Sequence, residues 1–425
     1  MSEVEFDPST CPINEINPMH PENLKRPAAM NRRLHAEAPV FQDPLSGMFF
    51  ISRYEDVVAM SMDYETFSSV VFAGGPGGPQ ISADSEMAEI MKDGYPNVNT
   101  MLTQDPPLQR RYRKFVDGAF APKNLRALEP FIEKTSNDLV DRFIDAGQCE
   151  FLSAFGVPLP LTVIASQIGA PMSDLPLLRK WTNAFIGNLS QQLDREGALQ
   201  AARDVLEFQN YFVEKMEERR KQPQDDILSK LVNASIDGGK PLDNAECLSM
   251  LSQILVAGNE TTSAALTEGI WLLIQNPDQY ELVKNDPSEE MIHRVVEEVL
   301  RYTSPSANMF RRTTRDVELN GVMIPENSMC FARFAAANQD DEKFADALKF
   351  DIMRPNLKDH VAFGKGVHHC LGAALSRREM NGGFKVIFQR MQNFRLTPGA
   401  AEPEFSANAL LHGMTGLKLS FDKIA

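Results

Sequence analysis

The stretch Phe363-Gly364-Lys365-Gly366-Val367-His368-His369-Cys370-Leu371-Gly372 constrains this chain more than any other. Glycines bring the backbone round to a cysteine, and Ala373, Ala374, Leu375 and the run Ser376 to Met380 then predict a helix. Cys370 therefore stands at or just before a helix N-terminus. Free backbone N–H groups and the positive end of the helix dipole favour a thiolate there. A thiolate in a glycine-rich loop can serve as an axial ligand to iron. Gly366 permits a tight turn, Gly372 leaves room for a flat partner, and Phe363 supplies an apolar face beside the sulfur. A lone cysteine is more often a small buried hydrophobe. A zinc reading of His368-His369-Cys370 lacks a C-x-x-C or second His/Cys cluster to complete the ligand set.

The rest of the 425 residues limits what this loop can serve. A hydrophobic share of 43% and a charged share of 24% are those of an ordinary globular protein. A net charge of −15 argues against general nucleic-acid binding. Cys11, Cys149, Cys247, Cys330 and Cys370 are scattered and odd in number, so no disulfide framework is expected. Met1-Ser2-Glu3-Val4-Glu5 has neither the basic nor the apolar region of a signal peptide, and no apolar run reaches about 18 residues. A cytoplasmic protein without a membrane span is the expectation.

Residues 1–30, rich in Pro, Asn and charge, read as a surface arm before a body at 31–425. Phe49-Phe50-Ile51 predicts a short strand and Tyr54 to Met60 a short helix. The breaker-rich run Val71 to Pro79 predicts a loop, either bordering a site or simply connecting. Asp105-Pro106-Pro107 opens a helix carrying Gln109, Arg110, Arg111, Arg113 and Lys114; by itself such a basic run reads as a solvated face. Leu125, Leu128, Phe131, Ile132, Leu139 and Phe143 recur at helical spacing, and 157–220 adds amphipathic helices. Within them, Trp181 to Leu189 fits either a lid or core packing.

A 32-residue helical pattern spans Asn244 to Gln275, on the order of 48 Å if unbroken. Asp243 and Glu246 form a capping-box pair, and Pro277 ends the run. In its middle lies Ala257-Gly258-Asn259-Glu260-Thr261-Thr262. There a glycine and two back-bonding threonines predict a local opening of the hydrogen-bond ladder. Asp286-Pro287 starts another helix, containing Glu298 and Arg301 on one face. Asp316 to Ile324 reads as two strands around an Asn320-Gly321 turn.

Taken together, these stretches resemble the cytochromes P-450. The cysteine loop matches F-x-x-G-x-H-x-C-x-G, the central helix matches A-G-x-[D/E]-T-[T/S], and Glu298 to Arg301 matches E-x-x-R. All stand in the family's order. The resemblance implies a mainly α fold with small β-sheets, in one haem-thiolate domain over 31–425. It implies haem b held by Cys370 as the iron ligand, with O₂ as co-substrate. Phe363, Gly366 and Gly372 in the loop and Gly258 on the central helix would contact the haem. Gln109, Arg113 and His368 fall on propionate-contacting positions, although many relatives have His where this chain has Gln109. Arg311 holds the spacing of a further propionate arginine, with Arg312 the competing choice.

By the same carry-over, Thr261 orders oxygen and water and Glu260 feeds protons. Glu298 and Arg301 form a buried pair joined by Arg354, in a segment where Ala347 replaces a common proline. Gln253, Val256, Ala257, Ala307 and Met309 border the substrate, expected to be a small hydrophobic molecule with at most one polar group. Electrons would come from a separate ferredoxin and its NAD(P)H-dependent reductase, docking near Arg110, Arg111 and Lys114. A peroxide-driven peroxygenase would not need the Glu260-Thr261 pair; a haem sensor would bind small gases without turnover.

Overall fold

The computed structural model describes residues 11–71, 85–190, 193–235 and 239–424. The glycine- and proline-rich positions 72–79 lie outside them. The helix Asn244–Gln275 runs through the middle of the fold. Its start follows from the sequence: the Asp243 carboxylate accepts the Glu246 amide at 2.9 Å, and Glu246 accepts the Asp243 amide at 3.0 Å. Asn276 closes it, and Pro277 opens the next helix, Pro277–Asn285.

The expected opening near Gly258 is absent, for the helix is continuous. Thr261 donates its hydroxyl to the Ala257 carbonyl at 3.0 Å, adding a bond to the ladder instead of interrupting it. Gly258 serves packing: a Cβ there would stand 3.0 Å from the Ile164 side chain of the crossing helix Pro158–Ile168.

Two apolar cores flank this helix. One gathers Ile132, Phe155, Leu266, Val295 and Phe384, joining Pro122–Val140, Glu289–Thr303 and Ala373–Arg390 to it. The other gathers Trp181, Phe208, Phe212 and Leu251. Trp181 is fully buried, with its ring centroid 5.7 Å from that of Phe208 on Arg195–Lys221. Of the two readings of Trp181 to Leu189, core packing is therefore the one realised in the helix Leu175–Ser190.

A third core lies between the helix Tyr54–Met62 and a sheet. Among the described residues that sheet runs Val40–Gln42, Phe49–Ile51, Met329–Ala332, Met309–Thr313, Phe67–Ser68. Only the Phe49–Ile51 and Met329–Ala332 pair is parallel. Val317–Leu319 and Val322–Ile324 form the expected hairpin, with Asn320 and Gly321 both at positive φ. Two expectations are corrected. The helix Glu289–Thr303 is capped by Ser288, one residue beyond Pro287. The segment from Cys11 onward is not a surface arm, since Ile16 and Met30 are buried with Phe41, Phe50 and Phe331. The helix Ala28–Glu37 also crosses the proposed 30/31 boundary. Among the described residues no helix is long and apolar enough to cross a membrane.

Candidate active site

The loop from Phe363 is fixed by its backbone. The Cys370 amide donates to the Phe363 carbonyl at 2.9 Å and the His369 amide to Gly366 at 3.1 Å. Gly366 adopts φ +70°, and a Cβ on it would come within 2.4 Å of the Ser61 carbonyl oxygen, so only glycine fits. The helix Ala373–Arg390 starts three residues after the cysteine. Burial pushes the Cys370 thiol up, while the amides of Gly372 and Ala373 and the Arg113 and Arg377 guanidinium groups pull it down. The cysteine is nevertheless solvent-accessible. Burial and exposure coexist when a sulfur faces a space enclosed by the fold. Ala257, in the middle of the central helix, is likewise exposed, and Thr261 one turn on is partly so.

Around the loop stand polar groups without partners. The Arg311 guanidinium is buried, bonds only its neighbour's Phe310 carbonyl at 2.7 Å, and makes no ion pair among the described residues. Burial pushes its pKa down to about 10, with Asp105 opposing. His368 Nε2 has no hydrogen-bond partner among the described residues and lies 4.0 Å from Asp105 Oδ1. A buried cation beside an unpartnered ring nitrogen calls for an anion between them. These residues therefore fit the carboxylates of a haem, and Cys370 fits its iron. Arg312, one residue along the strand, points elsewhere and donates to the Val71 carbonyl at 2.9 Å. The strand's alternation thus favours Arg311 over Arg312.

Two residues at expected propionate positions bond the backbone of the loop. Gln109 is buried and gives one of its two amide N–H groups to the Val367 carbonyl at 2.8 Å, its Oε1 finding no partner among the described residues. Arg113 donates to Val367 at 3.3 Å and His369 at 2.8 Å. Both brace the loop from the helix Leu108–Lys114.

The Glu260 carboxylate pairs with Arg179 of the helix Leu175–Ser190. Burial pushes Glu260 up and Arg179 pulls it down. On the adjoining face, Thr262 donates to Ser376 at 3.0 Å. Beyond it Glu379 is 1% exposed, with one oxygen unpartnered among the described residues; burial holds its carboxyl well above the usual range, with Thr262 opposing.

The five residues expected at the substrate are not of one kind. Ala257 opens to the space beside Thr261. Ala307 is buried and donates to the Leu410 carbonyl at 2.9 Å. Gln253 is tied at both ends of its amide, to Thr100 Oγ1 at 2.8 Å and to the Leu102 amide at 3.3 Å. Val256 packs with the Trp181 core and Met309 against the sheet. Two concavities elsewhere, of about 390 Å³ beside Arg32 and Asp340 and about 180 Å³ beside Phe185 and Phe208, include none of the five.

The E-x-x-R expectation is realised as a buried hub. Arg301 gives two hydrogen bonds of 2.7 Å to Glu298, neither side chain being exposed. It also donates to the Asn338 and Ala347 carbonyls, and Arg354 Nε lies 3.5 Å from Glu298. Sequence reasoning missed the neighbouring unit. Glu297 accepts both arms of Arg377, at 2.6 and 2.9 Å, and lies 3.2 Å from His360. Arg377 in turn stacks 4.5 Å from the Phe363 ring. Arg179, Glu379 and Arg377 carried no readable signal, because their partners are distant in sequence.

The family model for Cytochrome P450 matches residues 172–421. Cytochrome P450 107B1 of Saccharopolyspora erythraea is 34% identical over 373 residues, 87% of this chain and 88% of that protein. Linalool 8-monooxygenase of Pseudomonas putida is 30% identical, covering 91% and 93%. The solved structure of cytochrome P450 CYP109Q5 from Chondromyces apiculatus superposes with a TM-score of 0.84 at 30% identity, over 97% of this chain and 100% of that one.

Proposed function

This chain belongs to the cytochrome P450 family of monooxygenases, and on that premise we propose that it oxygenates a small hydrophobic molecule in the cytoplasm, with electrons from a separate ferredoxin and its NAD(P)H-dependent reductase. Haem b, when bound, supplies activation of O₂ and insertion of one oxygen atom. Cys370 supplies the thiolate, whose charge is supported by the Gly372 and Ala373 amides and by Arg113 and Arg377. Arg311 and His368 hold the haem carboxylates. Gln109 and Arg113 keep the loop in register from behind. Thr261 holds a proton at its hydroxyl beside Ala257, and Glu260 passes protons toward it from the Arg179 side. Ala257 leaves space for substrate, and the named activity of the linalool enzyme supports a terpene-sized hydrophobic molecule. The exposed Arg110 and half-exposed Arg111, on the helix whose Arg113 touches the loop, offer the ferredoxin a cationic face.

The observation that carries this reading is the buried, unpaired guanidinium of Arg311 beside His368 in the cysteine loop. The test is the absorption spectrum of the purified, reduced, CO-treated protein, alongside Cys370→Ser. A thiolate-type Soret band in the wild type and its loss in the variant support it. Wild-type protein without haem, or a variant with an unchanged spectrum, would refute it.

A further inference from the structure

The face of the central helix that carries Thr261 continues beyond it. Residues Ala257, Thr261, Ala264 and Glu268 succeed one another at intervals of four, three and four, so they form one stripe. Glu268 stands two turns, about 10 Å, from Thr261. It is 4% exposed, an acid in the buried run Ala265 to Ile270. Its Oε2 lies 3.6 Å from His412 Nδ1, an ion pair too long for a hydrogen bond, and its Oε1 has no partner among the described residues.

His412 belongs to the segment 405–414, which folds back over this stripe. Its ring lies 3.3 Å from the Lys25 carbonyl through Nε2 and stacks on Phe405 with centroids 4.9 Å apart. A carbonyl at one ring nitrogen and a carboxylate at the other ask for a proton on both. Burial works against charge on either group. Glu268 and the Lys25 carbonyl still hold the ring above its ordinary value, whereas burial leaves Glu268 above its own.

Either side of His412, the same segment touches the region of the proposed site. A Cβ on Gly413 would stand 3.1 Å from the Cβ of Ala264, one turn from Thr261. The Leu410 carbonyl accepts the Ala307 amide at 2.9 Å, Asn308 donates its side chain to the Ala409 carbonyl at 2.6 Å, and the His412 amide donates to Pro305 at 2.8 Å. The segment is therefore a wall, closing the Thr261 stripe at one end and holding the strand approach 305–308 at the other. Among the described residues, its only ion pair to the central helix is the one between His412 and Glu268.

We propose that Glu268 and His412 are a pair of positioning residues that fix the 405–414 wall against the central helix and so set how large a molecule fits beside Thr261. The inference deepens the monooxygenase reading and rests on it for what the space holds. Neither residue touches the reacting atoms; each acts through the wall.

Two readouts test this in the holoprotein, using wild type, Glu268→Gln, His412→Gln and the double variant. The first is hydrogen exchange in peptides covering 303–309 and 405–414. Each single substitution should speed exchange there at least tenfold while leaving 122–140 unchanged. The double variant should match the singles, because the second change finds the contact already lost. The second readout is the ratio of Soret-detected dissociation constants for imidazole and 4-phenylimidazole. The bulkier probe should change at least fivefold relative to the smaller one. Unchanged exchange in both peptides would overturn the proposal. So would uniform loosening of the whole chain with a constant azole ratio, the mark of a merely structural pair. If wild-type protein gave no Soret response to either azole, the haem reading would fall; the exchange measurement would still decide whether the pair fixes the wall.

Discussion

Glu260, which precedes Thr261 in the central helix, is paired with Arg179, 81 residues earlier on another helix. The acid is therefore not a free carboxylate but one held between burial, which raises it, and a guanidinium, which lowers it. Removing Arg179 leaves burial alone. In Arg179→Gln the Glu260 carboxyl should rise, and with it the acidic limb of the pH profile for product formation. Turnover near neutrality should fall accordingly. A limb that stays in place would separate Glu260 from proton delivery.

Thr261 spends its proton on the Ala257 carbonyl in the resting arrangement, so its hydroxyl can turn to a guest without breaking the helix. Thr261→Ala should leave O₂ uptake running while organic product per O₂ drops roughly tenfold or more. Thr261→Ser should keep most of the yield. Equal yield in Thr261→Ala and wild type removes this residue from the mechanism.

Alternation along Met309–Thr313 sends Arg311 inward and Arg312 toward Val71. Losing a charge-assisted bond worth about 1.5–3 kcal/mol should weaken haem retention by roughly ten- to a hundredfold in Arg311→Gln. Arg312→Gln should lie near wild type. Haem transfer to apomyoglobin measures both, and the reverse ranking would reassign the site.

Glu298 meets Arg301 with neither side chain exposed. Glu298→Gln leaves a buried guanidinium short of its charge and should cost about 3–5 kcal/mol in urea unfolding at fixed haem occupancy. A loss below about 1 kcal/mol would make the pair no stronger than a surface contact.

Burial alone would raise Glu297, yet hydrogen bonds from His360 and Arg377 hold it down to about 2. Burial keeps His360 below its ordinary value, so Arg377 is the charged partner at neutrality. A depressed folded-state carboxylate stabilises the fold above its ordinary 4.5 and loses that contribution as pH falls toward 2. The stability gap between wild type and Glu297→Gln should be flat from pH 7 to about 5 and narrow below it. A gap constant down to pH 3.5 would contradict the linkage.

Local features were legible in the sequence because their causes are local. The capping box at Asp243, the Asn320-Gly321 hairpin, the helix after Cys370 and the Glu298-Arg301 face each depend on residues three or four apart, or on one backbone angle. The cysteine loop could be read for the same reason: its chemistry is carried by ten consecutive residues.

Where a role depends on a distant partner, the sequence leaves it open. Gln109 sits at a propionate-like position, but its amide faces Val367, 258 residues away. The amide of Gln253 bonds Thr100, 153 residues away. Residues 1–30 read as an arm because their composition is polar, whereas burial of Ile16 and Met30 depends on Phe331 far along the chain. Spacing along the chain thus determined the elements and the order of the motifs. The tertiary structure decided which buried charge faces which, at Glu260 with Arg179, Glu297 with Arg377 and Glu268 with His412. The physical reason is that short-range periodicity fixes a side chain's direction, but the partner of a buried charge is chosen only when separate elements pack.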